Sequence, residues 1–583
     1  MHLYHDSFSA QYRYPLGALP CGAKVTLRLK APYAASASLR FYDGSEKWIP
    51  MTHEKKGWFT AQAEIPRVPI LCWYDFRAED HRGVSYAIGA PEDGLSGEGV
   101  MTNGLPRAWQ ITVYDPAYTT PDWMHTGIMY QIFPDRFYKK GDFLQQREEC
   151  YYHQDWNDDP ILMPEGGDDN CARDFFGGNL KGIEEKLPYL AELGVTVLYL
   201  NPVFQARSNH RYDTADYEKI DPLLGENEDL KSLCEAAKAR GIRVMLDGVF
   251  SHTGEDSVYF NRYGRFPSVG ACQSTHSPYC PWYSFSRYPD LYDSWWGFHT
   301  LPAVNKSCAS YQQFMFQPGG VVRQWIHRGT SGWRLDVADE LTMDFLRKLR
   351  KAAKAENPDA VVLGEVWEDA SHKVAYGEMR CYCQGDTLDS VMNYPLREAA
   401  IDFFTGKITA GALKRLIQCQ KENYPVPFYY SLMNLAGSHD RARIINVLAG
   451  KTWENLAPKD RRGRQLSRAE YNKAAAKFVE LTRLLCALPG IPCIYYGDEA
   501  GMQGSSDPYC RGTFPWGREN KDLQAKIKEI LWQRRNSPAL QTGDMSIEVI
   551  DEDTLLIQRQ ITGGKDVFGN KAKNERITIE IKR

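Results

Sequence analysis

Residues 180–200, LKGIEEKLPYLAELGVTVLYL, set the pattern from which the fold is predicted. Their apolar residues recur at the helical period, at Leu180, Ile183, Leu187, Leu190 and Leu193. Gly194 is a typical helix stop, and residues 195–200 continue as a short apolar run. The stretch therefore predicts one helix over 180–193 and a buried strand after it.

The same alternation of strand and helix continues along the chain. Further strands are predicted over 127–133, 242–250, 333–337, 360–364 and 491–495. Helices are predicted over 227–240, where Asn227 is the expected cap, over 343–356, and from the capping pair Ser467 and Glu470 to about 488. Repeated units of this kind favour a parallel sheet, and at this length a (β/α)8 barrel over 121–540 is predicted, an α/β fold.

Three other regions do not show this alternation of strand and helix. Residues 1–120 carry short alternating strands typical of a β-sandwich, and residues 541–583 predict a short C-terminal β domain. Residues 254–317 show little helical period, which predicts a loop subdomain inserted after barrel strand 3. Aromatic residues crowd into 279–299 of this insertion. Their rings suit the C–H faces of sugars, although most of them are expected to form a small local core.

Composition excludes several classes of protein. The net charge is −4, from 70 basic and 74 acidic residues, which argues against a nucleic-acid partner. No apolar run reaches the roughly 18 residues that a membrane span needs, and residues 1–16 do not resemble a secretory signal, so a cytoplasmic location is expected. The 14 cysteines follow no framework spacing and are expected to be free thiols.

Chemistry in such a barrel lies at the carboxyl ends of its strands. Those ends carry Asp247 and His252, then Arg334 and Asp336, then Glu365, and finally His439 and Asp440. Paired carboxylates about 5 Å apart suit glycoside hydrolysis with retention, which uses a nucleophile and a general acid. Asp336 shares a strand face with Arg334 and is expected to stay ionised as the nucleophile, whereas Glu365 has no basic neighbour in sequence and is expected to be the acid/base.

Four segments resemble the signature regions of the α-amylase superfamily of glycoside hydrolases: DGVFSH at 247–252, GWRLD at 332–336, GEVW at 364–367 and SHD at 438–440. Other segments resemble the neopullulanase, cyclomaltodextrinase and maltogenic amylase group, at 130–137, 175–180, 209–217, 389–394 and 490–497. The resemblance covers residues 110–540, and it implies that residues 1–120 form a starch-binding-like module. In this group the module often helps to build a dimer, so a homodimer through it is expected.

The resemblance also implies roles for individual residues. Asp336 would form the covalent glycosyl-enzyme, Glu365 would protonate the leaving oxygen, and Asp440 would stabilise the oxocarbenium-like state. Arg334 would orient Asp336, and Asp247 would be structural, supporting Arg334. The remaining residues with an implied role in substrate binding are His252, His439, Tyr212, Trp367 and Asp339, the last of which stands where many relatives have asparagine.

Two departures from the family pattern concern Ca²⁺. Lys140 lies in the loop that usually supplies oxygen ligands, and a lysine there opposes binding of a hard cation. Ser251 replaces the usual asparagine of the other familial site. No required cofactor and no metal ligand are therefore predicted, with Ca²⁺ disfavoured at both places.

The predicted function is a retaining α-glucan hydrolase that cleaves α-1,4 bonds, and α-1,6 bonds as a further option, in maltooligosaccharides, cyclodextrins or pullulan, with transglycosylation open. The alternative enzyme is an oligo-α-1,6-glucosidase, α-glucosidase or glucanotransferase of the same superfamily. A non-enzymic scaffold should lack one of Asp336, Glu365 and Asp440, and all three are present. A sugar-binding protein would bind maltooligosaccharide without hydrolysing it.

Overall fold

The computed structural model describes residues 2–143, 145–162 and 172–583. Its centre is an eight-stranded parallel sheet in which the strands pair in chain order and the first also pairs with the eighth. A parallel bridge between Met392 and Met433 joins the sixth and seventh strands and closes the ring. The barrel strands are Met129–Ile132, Val197–Leu200, Arg243–Gly248, Gly332–Leu335, Val361–Gly364, Ser390–Val391, Met433–Leu435 and Ile491–Tyr495. The predicted (β/α)8 barrel is confirmed.

The α-helices in the described part of the chain belong to the barrel region and its flanks. They are Asp122–Thr126, Pro134–Phe137, Leu180–Glu185, Leu187–Leu193, Asn227–Lys238, Ala309–Phe316, Val321–His327, Met343–Glu356, Tyr394–Phe404, Ala410–Asn423, Val426–Tyr429, Ile444–Leu448, Pro458–Arg461, Arg468–Ala487, Lys521–Arg535 and Pro538–Thr542. Apolar faces on these helices pack on the outside of the barrel in one large core. The core fixes the strands and therefore fixes the loops at their carboxyl ends.

Two helix predictions need correction. The helix predicted over 180–193 is broken at Lys186, because Pro188 lacks the N–H that a continuous helix would use and instead starts the second helix. The helix that begins at Asn227 is capped by Glu226, which forms a capping box with Asp229, and not by Asn227 as predicted. Neither change moves the strand that follows.

The N-terminal region forms two antiparallel-rich sheets that enclose a separate core. One sheet has four strands: Arg13–Tyr14, Lys24–Lys30, Trp58–Glu64 and Thr52–Glu54. The other has seven strands: Leu19–Pro20, Ala34–Tyr42, Glu46–Pro50, Ile70–Asp80, Ser85–Gly89, Val100–Thr102 and Trp109–Tyr114. Alternate residues of these strands are buried between the sheets, for example Val25, Leu27 and Leu29, which is the arrangement expected of a sandwich.

The insertion after the third barrel strand contains a two-stranded hairpin, Phe285–Arg287 with Leu291–Tyr292. Of the Phe, Trp and Tyr residues in 279–299, Trp282, Tyr283 and Tyr292 are buried, Tyr288, Trp296 and Phe298 are exposed, and Tyr279, Phe285 and Trp295 are partly buried. The irregular stretch predicted to reach 317 in fact ends in the helix Ala309–Phe316. Tyr311 and Met315 lie one turn apart on its buried face, a short period that the sequence pattern did not make obvious.

The C-terminal strands Asp544–Asp551, Thr554–Ile561 and Glu575–Lys582 form a three-stranded antiparallel sheet. Smaller strand pairs lie in the loops: Tyr151–Tyr152 with Asp174–Phe175, Phe204–Ala206 with Thr214–Ile220, and Val374–Ala375 with Glu378–Met379. The predicted limits 1–120, 121–540 with the insertion 254–317, and 541–583 stay predictions. In the described ranges no helix is both long and apolar enough to cross a bilayer.

Candidate active site

A single buried guanidinium holds three carboxylates together at the carboxyl ends of the barrel strands. Arg334 Nη1 lies 2.8 Å from Asp247 Oδ1 and 3.1 Å from Asp336 Oδ1, and Arg334 Nη2 lies 2.7 Å from Glu365 Oε2. The strands that carry Asp247, Arg334 and Glu365 are neighbours in the sheet. Parallel strands bring their carboxyl ends to one edge, so residues far apart in sequence meet at one arginine.

The contact between Arg334 and Glu365 corrects the sequence argument for their roles. Glu365 was expected to lack a cation, yet it has the shorter contact with the guanidinium. Glu365 also accepts hydrogen bonds from the Trp367 Nε1–H at 3.0 Å and from the Val337 N–H at 2.9 Å. The arginine therefore does not distinguish nucleophile from acid, and the assignment of those roles rests on the family resemblance.

The backbone beside Asp336 is strained. Val337 adopts a left-handed conformation with φ 34°, which is costly for a β-branched residue. This conformation is the one in which its N–H reaches Glu365. Backbone strain that positions a donor on a carboxyl group is typical of a functional site.

The pKa values of Asp336, Glu365 and Asp440 are raised. Burial raises the pKa of Asp336 well above its ordinary value, Arg334 opposes this, and the charges of Glu365, Asp247 and Asp440 raise it further. Burial likewise raises the pKa of Glu365 and of Asp440, with Arg334 and Arg511 acting in the opposite direction. Neighbouring carboxyl groups in one buried site resist simultaneous ionisation, which favours one ionised and one protonated partner.

A chain of hydrogen bonds links Gln131, His439 and Tyr212 to Asp247. The Gln131 amide donates to His439 Nδ1 at 2.8 Å, so the other ring nitrogen carries the proton and donates to the Tyr212 hydroxyl at 2.5 Å. Tyr212 in turn donates to Asp247 Oδ2 at 3.0 Å, and its ring stacks parallel to His439 at 5.4 Å. Burial lowers the pKa of His439 well below its ordinary value, so the imidazole is neutral.

Asp440 is the most open of the three acids. His439 Nε2 lies 3.2 Å from Asp440 Oδ1, and Arg511 Nη2 lies 3.6 Å from the same oxygen. Its side chain is 30% exposed, against 10% for Asp336 and 5% for Glu365. A partly open carboxylate with a cation behind it is suited to contact polar groups of a ligand.

The other residues predicted to bind substrate have clear partners inside the protein. His252 engages both ring nitrogens, with Ser251 Oγ at 3.0 Å and the Tyr212 carbonyl at 3.1 Å, and burial lowers its pKa to about 3. Asp339 accepts from the Tyr382 hydroxyl at 2.5 Å and pairs with Lys373 at 3.3 Å. These contacts support a positioning role for His252 and Asp339, and their binding of sugar stays a prediction.

Trp367 also has a supporting role in the structure. Its ring stacks on Tyr394 at 4.0 Å and an interplanar angle of 5°, and the Arg441 guanidinium lies 4.4 Å from the ring centre. These contacts hold the indole N–H on Glu365. The ring is only partly buried, so contact with a substrate stays a prediction.

Sequence reasoning did not single out Gln131, Asn201, Tyr199 and Arg511. Asn201 donates to the Tyr212 hydroxyl at 3.1 Å, and Tyr199 donates to Asp247 at 2.6 Å. Gln131, Tyr199 and Asn201 lie on or directly after the first two barrel strands, so a polar residue in a buried strand was the available signal. Arg511 had no such signal, because it lies in a loop after the eighth strand.

The loop expected to bind Ca²⁺ in relatives is occupied by an ion pair. Lys140 Nζ lies 2.7 Å from Glu185 Oε2, and the Ser251 hydroxyl is used by His252. A cation and a single hydroxyl do not fit the oxygen-rich shell of Ca²⁺. Within the described parts of the chain no group of three or more His, Cys, Asp or Glu side chains is placed to hold a metal ion. The absence of a required cofactor stays a prediction.

Comparison with known proteins places this arrangement in a family. The model of the alpha amylase catalytic domain matches residues 131–543. An amylopullulanase of Thermoanaerobacterium saccharolyticum is 37% identical over 635 residues, covering 100% of this chain and 48% of that protein. Neopullulanase 2 of Thermoactinomyces vulgaris is 32% identical over 80% of this chain and 72% of that protein. The chain thus spans less than half of the amylopullulanase.

A solved structure agrees over the whole chain. The type III pullulan hydrolase from Thermococcus kodakarensis has a TM-score of 0.66 and 25% identity, and the match covers 100% of both chains. The resemblance predicted from the signature segments is confirmed. The chain belongs to the α-amylase family of glycoside hydrolases.

Proposed function

We propose that this protein is a retaining α-glucan hydrolase that cleaves α-1,4 glucosidic bonds and, in branched or mixed substrates, α-1,6 bonds. The observation that carries the proposal is the convergence of Asp336 and Glu365 on Arg334, with Asp440 close enough for its charge to raise the pKa of both acids. The contact of both Asp336 and Glu365 with one guanidinium supports the separation of about 5 Å that retention uses, whereas an inverting enzyme needs more room for a water molecule between its carboxyl groups. The names of the relatives point to pullulan as one substrate.

In the proposed reaction Asp336 is the ionised carboxylate and Glu365 carries the proton. The glycosidic oxygen takes that proton as the C1–O bond breaks, and Asp336 forms a covalent bond to C1. Glu365, now ionised, then removes a proton from water, which attacks C1 and releases Asp336. Tyr212, stacked on neutral His439, offers a flat face beneath the sugar ring whose C1 is attacked. Asp440 accepts hydrogen bonds from hydroxyl groups of that ring.

The first test replaces Asp336 with Asn. We expect a loss of turnover on maltoheptaose of about 10⁴-fold or more, since no nucleophile remains. Circular dichroism should show a folded protein. Asp344→Asn is the matched control, because Asp344 is an exposed aspartate that pairs with Lys348 and lies eight positions further on; it should keep wild-type turnover. Near-normal turnover of Asp336→Asn would overturn the proposed role.

A second measurement tests the stereochemistry. NMR of the products in the first minutes of hydrolysis should show the α-anomer, because two displacements at C1 restore the original configuration. Appearance of the β-anomer first would exclude a glycosyl-enzyme intermediate. This test needs no variant and is independent of which carboxylate acts as the acid.

Preference among bonds and substrates belongs to the same proposal. Digestion of pullulan, γ-cyclodextrin, maltoheptaose and isomaltose separates a hydrolase of α-1,4 bonds from an oligo-α-1,6-glucosidase, and products longer than the substrate would indicate glucanotransfer. Binding without any hydrolysis would favour a sugar-binding protein.

A cytoplasmic location and a homodimer through residues 1–120 stay predictions from the sequence. Cell fractionation would check the location, and light scattering would check the homodimer.

A further inference from the structure

Residues that follow three successive barrel strands form one stack beside the acids. Trp367 follows the fifth strand, and its ring lies parallel to that of Tyr394, the first residue of the helix after the sixth strand, with ring centres 4.0 Å apart. Arg441 follows the seventh strand, and its guanidinium carbon lies 4.4 Å from the centre of the Trp367 ring. Because the Tyr394 ring fills one face of the indole, the guanidinium covers the other.

In the described part of the chain Arg441 has one ion pair, and that pair is long. Its Nη2 lies 3.8 Å from Glu398 Oε1, and its buried Nε has no hydrogen-bond partner among the described residues. Glu398 lies on the same helix as Tyr394, so this helix supports both faces of Trp367. The negative face of an indole attracts a guanidinium. The stack therefore fixes the plane of the Trp367 ring.

The plane of this ring decides where the indole N–H points. Trp367 Nε1 donates to Glu365 Oε1 at 3.0 Å, and no other described residue donates to this oxygen. Glu365 Oε2 lies 2.7 Å from the Arg334 guanidinium and accepts the Val337 N–H at 2.9 Å. An oxygen that faces a cation and a second donor resists protonation more than one that faces a single neutral donor. The proton of the acid form therefore belongs on Oε1.

We propose that Arg441 is a positioning residue for the acid/base: by holding the Trp367 ring against Tyr394, it keeps Glu365 Oε1 and its proton directed at the glycosidic oxygen. The inference rests on the proposed hydrolase function, in which Glu365 protonates the leaving oxygen. Arg441 acts through the indole N–H and not by contact with the reacting atoms.

Arg441→Met and Trp367→Phe are tested on two substrates that differ in their need for an acid. Maltoheptaose needs a proton on its leaving oxygen, whereas α-maltosyl fluoride releases fluoride, which needs little assistance. We expect kcat/KM for maltoheptaose to fall about tenfold in Arg441→Met and about thirtyfold in Trp367→Phe, because general acid catalysis is weakened. For the fluoride, kcat/KM should stay within about twofold of wild type. A merely structural defect would lower both values together and would overturn the proposal.

The double variant shows whether Arg441 acts through the indole N–H. Phe keeps a ring between Arg441 and Tyr394 but has no N–H. Adding Arg441→Met to Trp367→Phe should therefore lower kcat/KM for maltoheptaose by less than about twofold, since the two substitutions remove the same interaction. A further loss of about tenfold would show that Arg441 acts by another route, and would overturn the proposal.

The pH dependence of kcat/KM for maltoheptaose is a second readout. Charged and titratable groups face Glu365 from the fourth strand and the residue after it, from the loop after the seventh strand and from the helix after the sixth: Arg334, Asp336, Asp440 and Tyr394. Burial raises the pKa of Glu365, and the Trp367 N–H opposes this by stabilising the ionised form. Without that hydrogen bond the pKa rises further, so the alkaline limb should move to higher pH in Arg441→Met and in Trp367→Phe. An unchanged limb in Arg441→Met would contradict the proposed role.

Arg535→Met is the matched control, because the Arg535 guanidinium lies 4.9 Å from the ring centre of Trp532 on the helix Lys521–Arg535, outside the site. It should leave both substrates and the pH profile unchanged. Glu365→Gln should show the contrast between the substrates more strongly. If it does and Arg441→Met does not, the role of Arg441 fails while the hydrolase proposal stands. Equal losses on both substrates in Glu365→Gln would overturn the acid role of Glu365, and the role of Arg441 with it.

Discussion

Arg334 is the residue on which the candidate active site depends. Its guanidinium is fully buried and contacts Asp247, Asp336 and Glu365, so its charge is shared among three acids. The sequence placed Arg334 beside Asp336 only, because neighbours along a chain are visible while neighbours across strands are not. A charge shared in this way compensates the desolvation of the acids as a group and assigns no role to any one of them.

Glu499 is a buried acid outside the proposed chemistry, and it makes stability depend on pH. It accepts hydrogen bonds from the Tyr130 hydroxyl at 2.8 Å and the Tyr189 hydroxyl at 2.5 Å, and burial raises its pKa from 4.5 to about 7. Between these values the folded protein keeps the proton that the unfolded chain loses. We expect this group to remove about 3 kcal/mol of unfolding free energy as pH rises from about 4.5 to above about 7.

Urea unfolding across that pH range, with wild type and Glu499→Gln in parallel, measures the effect. The variant has no ionisable group at this position, so it should not lose this share of stability. The unfolding free energy of Glu499→Gln minus that of wild type should therefore increase as pH rises. Glu529→Gln, at an exposed position of the helix Lys521–Arg535, should follow the wild-type curve. Parallel curves for wild type and Glu499→Gln would show that Glu499 has no raised pKa.

At the scale of single elements, local sequence signals explain where most helices begin and end. The helix Arg468–Ala487 starts at a capping box in which Ser467 Oγ accepts the Glu470 N–H at 3.4 Å and Glu470 accepts the Ser467 N–H at 3.0 Å. This helix packs on the barrel through Phe478, Leu481 and Leu485. Its first turn is exposed, so the cap is the main local interaction that fixes it.

We therefore expect Ser467→Ala to lower the free energy of unfolding by about 1 kcal/mol, measured by urea unfolding, with faster hydrogen exchange in the first turn. Ser467→Asp keeps an acceptor at the cap and should lie within a few tenths of a kcal/mol of wild type. Equal losses in the two variants would mean that the hydroxyl acts through some contact other than the cap.

At the scale of the whole molecule, the N-terminal sheets are joined to the barrel by a buried ion pair. Arg13 Nη1 lies 2.5 Å from Glu422 Oε1 on the helix Ala410–Asn423, and Ser7 Oγ donates to the same carboxylate at 2.9 Å. Gln110 also donates to Ser371 Oγ at 3.1 Å across this boundary. The side chains of Arg13 and Glu422 are almost fully buried, so neither charge can turn to water if its partner is lost.

Glu422→Ala should consequently lower the free energy of unfolding by about 3 to 5 kcal/mol, because it leaves the Arg13 guanidinium buried and unpaired. Urea unfolding followed by tryptophan fluorescence measures it. The exposed pair of Arg415 and Asp93, 2.9 Å apart, joins the same two regions and serves as the control. Asp93→Asn should cost less than about 1 kcal/mol. Equal costs for the two substitutions would show that burial does not govern this boundary.

The sequence by itself was enough to predict the barrel and the sandwich, and it predicted Asp336, Glu365 and Asp440 as the acids of the site. Strand and helix periods, glycine stops and capping residues act over a few positions, so they can be recognised without knowing the tertiary structure. The strand ends likewise placed Asp247, Asp336 and Glu365 at one mouth, because parallel strands in a barrel share an edge.

Only the tertiary structure decided how those groups share charge and hydrogen bonds. The contact of Arg334 with Glu365, the two occupied nitrogens of His252 and the stack of Arg441, Trp367 and Tyr394 each join residues that are distant in sequence. Distance along the chain does not reveal such contacts, because each depends on where a loop returns after tens of residues. Charge and hydrogen bonding act over a few ångströms in space, and only the folded chain sets those distances.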